Sequence, residues 1–237
     1  MTRATLAAVG LAALAGPAAA QTYNASAAFS NVTNPNGVWS YGYKPTPAGA
    51  FQSDVTSASS GESPTPNVIG WLVPSGGVID YNQTQAVQQY SSVNWMPGEI
   101  RMHPTTTPGR PSVLRFTAPA AGTYSVAATM FKVDTSGTGE TGTAVHVNGS
   151  QVYSQVVSGY RFNAGAVTGA YSDAGLDLAA GDVIDLQVGL AGTGYGFNST
   201  GVTFQVMFVP VPEPAALLVV AAAGLAVARR GRHASGR

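Results

Sequence analysis

Alternation of apolar and polar positions dominates the second half of this chain. In SVLRFTAPAAGTYSVAATMFKVD (112–134) two strand candidates are split by Pro119, Ala120, Ala121 and Gly122. In the second, Tyr124, Val126, Ala128 and Met130 take one face while Ser125, Ala127, Thr129 and Phe131 take the other. A two-residue period of this kind is the mark of a half-buried strand. TAVHVNGSQVYSQVV (143–157) sets Asn148-Gly149 between two β-rich runs. Asn-Gly tolerates positive φ at both central turn positions, which predicts a tight hairpin. LDLAAGDVIDLQVGLAG (176–192) turns at 179–182; Ile184, Leu186 and Val188 then share one face, with Asp185 and Gln187 on the other. GVTFQVMFVP (201–210) directs Val202, Phe204, Val206 and Phe208 inward.

The first half is less regular. FSNVTNPNGVWSYGYKP (29–45) mixes aromatics with turn residues. DVTSASSGESPTPN (54–67) is rich in Ser, Thr and Pro and predicts an exposed loop. SVNWMPGEIRMHPTTTPGRPS (92–112) reads as loop with strand content at 99–103. No helical stripe of useful length occurs in the body, and no repeat of a solenoid period is evident. Short strands with Gly-rich turns predict an all-β fold: an antiparallel, jelly-roll-like β-sandwich, one domain spanning 21–209.

Composition agrees. Among 237 residues, 29 are Gly and 15 Pro, and 9% are charged, against about a quarter in an average soluble domain. The formal net charge is +0, yet Arg3, Arg229, Arg230, Arg232 and Arg237 all lie in the end segments. Residues 21–210 hold six basic and ten acidic side chains, a net of −4. No basic patch supports nucleic-acid binding. There is no cysteine, so neither a disulfide nor thiolate chemistry is available.

The two ends read as addresses. Arg3, the apolar run 4–16 and the small residues Ala18 and Ala20 make a secretory signal peptide over 1–20, cut by signal peptidase after Ala20. At the other end, Pro210, Pro212 and Pro214 form a stiff extended tether. The apolar segment 215–228 follows; as a helix it would span about 21 Å, short of a bilayer core of about 30 Å. Arg229, Arg230 and Arg232 close it and favour the cytoplasmic side. Pro212-Glu213-Pro214, a short apolar helix and an Arg cluster resemble the PEP-CTERM sorting signal, over about 22 residues (211–232). The resemblance implies an exosortase-type membrane protease as partner. It also implies transient anchoring in the inner membrane by the C-terminal helix, and then the cell surface or extracellular matrix as destination. Pro212, Glu213, Pro214, Arg229 and Arg230 would be its recognition elements. A plain C-terminal membrane anchor is the alternative.

The body also resembles an ectodomain type found among PEP-CTERM proteins, through 34–42 (Asn-Pro-Asn-Gly-Val-Trp-Ser-Tyr-Gly), the His-Pro loop at 102–104, and the stretches 117–124, 145–149 and 178–182. The resemblance implies a jelly-roll fold like that of carbohydrate-binding modules and transfers no active site.

For chemistry, the body offers His103 and His146 but no Gly-x-Ser-x-Gly elbow. His146 alternates with Val145 and Val147 and is expected as a surface or cross-strand polar residue. Glu99, Asp134 and Glu140 are the loop acids available to a glycoside hydrolase, which needs two carboxylates held together. Asp134, Ser136 and Glu140 supply hard oxygen atoms of the kind calcium takes, without the spacing of a calcium loop; otherwise no metal or cofactor is expected. Trp39, Tyr41, Tyr43, Trp71, Trp95 and Tyr195 lie among Gly, Pro and Asn. Such rings either stack on sugars or extend the core. Trp39, Tyr41 and Trp95, with His103, are the expected glycan platform. Two readings follow: an exported, non-catalytic surface or matrix protein with affinity for exopolysaccharide, or a secreted glycan-active hydrolase using loop carboxylates.

Overall fold

A computed structural model describes residues 20–58, 68–192 and 194–210. Of the two compact units in the chain, Gln21–Val209 is described here. The other, made of the end segments, lies almost wholly outside the described residues. The signal peptide with Ala18, the helix 215–228, and the sorting residues Pro212, Glu213, Pro214, Arg229 and Arg230 therefore fall outside them as well. Among the described residues no helix is long and apolar enough to cross a membrane.

The unit is an all-β antiparallel sandwich. Its strands are β1 (Gln21–Asn24), β2 (Trp39–Tyr43), β3 (Thr56–Ala58), β4 (Val68–Val73), β5 (Gly77–Asn82), β6 (Gln88–Tyr90), β7 (Val93–Trp95), β8 (Ile100–His103), β9 (Ser112–Thr117), β10 (Gly122–Lys132), β11 (Thr141–Val147), β12 (Ser150–Val157), β13 (Gly169–Leu178), β14 (Val183–Leu190) and β15 (Thr200–Pro210). One sheet runs β13-β10-β15-β8-β5-β4-β3, with β1 also paired to β15. The second runs β12-β11-β14-β9-β2, and β6 and β7 form a separate hairpin.

The alternation in the second half places the core as expected. Tyr124, Val126, Ala128 and Met130 of β10 meet Ile184, Leu186 and Val188 of β14 and Val202, Phe204, Val206 and Phe208 of β15 in one buried cluster. Asn148 and Gly149 both adopt positive φ, 49° and 83°, closing the β11–β12 hairpin. The first half holds more strand than its pattern suggested. A hairpin joins β4 to β5, with Val73 opposite Gly77 and positive φ at Ser75 and Gly76. β3 also lies inside the stretch expected to be loop.

Loops cover part of the outer face of each sheet, and this buries polar residues. On the larger sheet, the β6–β7 hairpin closes Trp95, Val93, Val68 and Val133 into a second apolar cluster against Phe131. Beneath it Asp80 and Arg101, opposite each other on β5 and β8, form an ion pair with no side-chain exposure. The Arg101 guanidinium lies 4.9 Å from the Trp95 ring centroid. On the smaller sheet, the segment after β2 folds back. Lys44 Nζ reaches Asp185 Oδ2 at 2.8 Å, and Arg115 grips the same carboxylate through Nε at 2.6 Å and Nη2 at 2.9 Å. Phe51 packs on Arg115 at 4.2 Å, and Gln187 Nε2 donates to the Pro47 carbonyl. Burial alone would raise the Asp185 carboxyl; the hydrogen bonds and charges of Arg115 and Lys44 outweigh it and hold the group below its ordinary range.

Candidate functional site

The residues expected to form a glycan platform do not form one. Trp39 and Tyr41 alternate inward along β2, because the five residues Trp-Ser-Tyr-Gly-Tyr put every second ring on the core face. Trp39 packs edge-on against Phe116 and Phe204, and Tyr41 lies between Phe29 and Trp71. Both side chains are buried, and burial pushes the Tyr41 hydroxyl up to about 12, partly offset by the Ser30 backbone. Trp95 belongs to the other cluster, on the outer side of the larger sheet. A sugar stacks on an open ring face, and none of these three presents one. His103 is buried at the end of β8, where its Nδ1–H donates to the Pro104 carbonyl and its ring meets Tyr195 edge-on at 4.5 Å. Tyr195 in turn donates its hydroxyl to the Gly76 carbonyl. His146 is buried too, with Nδ1 at 3.2 Å from the Gly149 carbonyl, and desolvation lowers its pKa.

The loop acids are also committed. Glu99 accepts from the Met96 amide and pairs with Arg161. Asp134 accepts from Ser92 Oγ at 3.0 Å and from the Ser199 amide at 2.7 Å, with Lys132 Nζ at 3.8 Å. Its two oxygens tie three loops together. Among the described residues no three His, Asp or Glu side chains are grouped to hold a metal. Only Glu140, of the three acids, is solvent-exposed.

A cleft with an exposed ring lies between the segment that follows β10 and the segment that precedes β15. Thr138, Gly139, Glu140, Gly192, Gly194, Gly196 and Phe197 line a cleft of about 440 Å³. Phe197 is 45% exposed and holds a positive φ of 62°, a conformation that bulky residues rarely adopt. Gly137 lets the ring sit there: a Cβ at that position would fall 2.2 Å from Phe197 Cγ. Lys132 latches the two loops from beneath. Its buried ammonium donates to the Gly139 carbonyl at 2.7 Å and to the Phe197 carbonyl. Desolvation lowers the Lys132 pKa, opposed by Asp134 and Glu140. The cleft thus offers one aromatic face, one carboxylate, one hydroxyl and several peptide groups. It can bind a ligand with an apolar face and hydroxyl donors; it holds neither a nucleophile–base pair nor two carboxylates. The sequence carries a signal for it in Gly-Tyr-Gly-Phe-Asn (194–198), which sets two large rings among loop formers; Tyr195 packs against His103 and Phe197 reaches solvent.

No family model and no curated protein matches the chain. Solved structures do. The CBM51 module of a Clostridium perfringens GH95 protein, in complex with methyl-galactose, is 11% identical, with 78% of this chain and 99% of that chain covered at a TM-score of 0.37. The CBM36-1 domain of a multidomain xylanase from the hindgut metagenome of Trinervitermes trinervoides is 11% identical, with 55% and 95% covered at 0.31. A family 35 carbohydrate-binding module from Clostridium thermocellum is 13% identical, with 52% and 85% covered at 0.30. At TM-scores of this size, the likeness assigns neither a ligand nor a site to this chain.

Proposed function

We propose that this protein is an exported, non-catalytic surface or matrix protein whose β-sandwich binds polysaccharide at the Phe197 cleft. The signal peptide directs it out of the cytoplasm. The Pro212-Glu213-Pro214 segment with its apolar run and Arg229-Arg230 hands it to an exosortase-type protease, which leaves the sandwich outside the cell. The observation that carries the binding half is the Phe197 ring, exposed on a glycine-lined cleft beside Glu140 and Thr138. An aromatic face stacks on the C–H side of a sugar, and the carboxylate and hydroxyl receive and supply hydrogen bonds. With Glu99 and Asp134 bound into loop-tying contacts, the hydrolase reading has no paired acids to rest on.

Affinity electrophoresis of a 21–210 fragment through gels containing polysaccharides of the producing cell tests the binding. Retardation by at least one polysaccharide, abolished in Phe197→Ala and weakened in Glu140→Gln at unchanged thermal stability, is the expected result. Retardation unaffected by Phe197→Ala, or none at all, removes the cleft from the reading. Shortening of the polysaccharide would restore the hydrolase. Export is read separately from the mature protein: an N-terminus at Gln21 and loss of the residues after the Pro-Glu-Pro segment are expected.

A further inference from the structure

The sandwich closes off its sheet edges in different ways, and among the described residues one edge has no partner strand. On β2, every outward backbone group has a partner: Trp39 exchanges both hydrogen bonds with Asn36, and Tyr43 both with Gln52. Between them the Asn34 side chain imitates a strand, accepting from the Tyr41 amide and donating to the Tyr41 carbonyl. β3 and β1 are short, three and four residues. β13 carries Asp173 and Asp177 and a register break against β10. These are the devices by which edge strands avoid pairing with other chains.

β12 lacks them over most of its length. Its eight residues, Ser-Gln-Val-Tyr-Ser-Gln-Val-Val, include no charge and no proline. Among the described residues it pairs with β11 alone, and its one irregularity is a bulge at Val152, near the start. Val152 and Val156 are 46% and 42% exposed. The Val156 carbonyl faces away from β11 and accepts from the Gln155 side-chain amide, an exposed contact with the adjacent residue that a pairing strand would replace. Alternation then turns the backbone groups of Ser154 outward too.

We propose that β12 pairs antiparallel with β12 of a second copy of this chain, joining the two five-stranded sheets across a two-fold axis. The occupant is argued from self-complementarity. A two-fold centred on Ser154 sets Ser154 opposite its own copy and brings Val156 of one copy against the bulge at Val152 of the other, twice, and an isologous contact of this kind closes at the dimer. A strand without charge meets its own copy without repulsion, although the rest of the body is net negative. The inference is independent of the polysaccharide reading.

The chain has no cysteine, so one introduced thiol reports a self-contact cleanly. In an antiparallel pair, Cα atoms directly opposite lie about 4.5–5.5 Å apart, within the range a disulfide spans. The sandwich has its own core and is one compact unit, so the 21–210 fragment serves. Ser154→Cys is expected to form a disulfide-linked dimer under mild oxidation, while Met207→Cys, exposed on β15, stays monomeric. Sedimentation equilibrium of the cysteine-free fragment should show a monomer–dimer equilibrium that Val156→Lys shifts to monomer, with its melting temperature kept. A concentration-independent monomer, or equal cross-linking of the two cysteine variants, overturns the proposal. Self-association untouched by Val156→Lys overturns it as well.

Discussion

The Lys44–Asp185–Arg115 cluster makes the sharpest stability prediction. Asp185→Asn keeps the shape of the side chain and removes its charge. Lys44, 3% exposed and 2.8 Å from that carboxylate, is left as a buried cation with no counter-charge. Arg115 is 19% exposed and can recover part of its loss from water. Breaking a buried pair by removing one partner costs about 3–5 kcal/mol, a large share of the roughly 5–15 kcal/mol that holds a domain of ordinary stability. Urea denaturation of the 21–210 fragment, followed by tryptophan fluorescence, should therefore show a lower midpoint at unchanged m-value. In Lys44→Met/Asp185→Leu both buried charges are gone, and stability should return to within about 2 kcal/mol of the parent. A loss below about 1 kcal/mol for Asp185→Asn would mean that solvent reaches this pair and that the 44–52 segment does not seal it. A double variant as weak as the single one would refute the charge argument and leave packing as the cause.

Three further outcomes follow from the same structure. His146 is held neutral by burial, so the unfolded chain takes up its proton first, near pH 6.5. Stability should fall as pH drops below that value, and His146→Gln should flatten this limb in pH-dependent denaturation. Asp185, with its lowered pKa, adds a second loss only as pH falls from 3.8 through that lowered value. Trp95→Ala, removing a fully buried ring over Arg101, should cost about 3–5 kcal/mol by denaturation; unchanged stability with lost polysaccharide retention would reinstate Trp95 as a binding residue. Gly149→Ala and Gly201→Ala should both destabilise, for different reasons. Gly149 has φ +83° and open space around its Cβ, so its cost is conformational, about 1–2 kcal/mol. A Cβ at Gly201 falls 2.3 Å from Phe131, so thermal melts should show Phe131→Ala relieving Gly201→Ala and leaving Gly149→Ala unchanged.

The alternating runs made the second half legible because each strand there has one face in the core and one toward water or a polar layer. Where that condition fails, the pattern fails with it. β8 reads Ile-Arg-Met-His and all four residues are buried, since the β6–β7 hairpin lies over its outer face. Asp185 and Gln187 lie on the face of β14 opposite Ile184, Leu186 and Val188, and that face is roofed by the 44–52 segment, which makes it a buried polar layer. Trp39 and Tyr41 fail as a platform because β2 turns them into the core between the sheets, and Trp95 because its hairpin folds it against the outer face of the larger sheet. Closeness in sequence to His103 or to the Asn-Gly-Val-Trp stretch does not report what packs against these rings.

What the sequence by itself determined is the class: the period-two runs and the Asn148-Gly149 turn of an all-β body. These are local properties, fixed by side-chain alternation and turn stereochemistry. The tertiary structure alone decided which polar groups are sealed in, which edge is left unpaired, and which ring reaches solvent. Each of those depends on contacts between segments far apart in the chain. Lys132 holding residues 139 and 197, and Lys44 meeting residue 185, are pairings that no local pattern encodes.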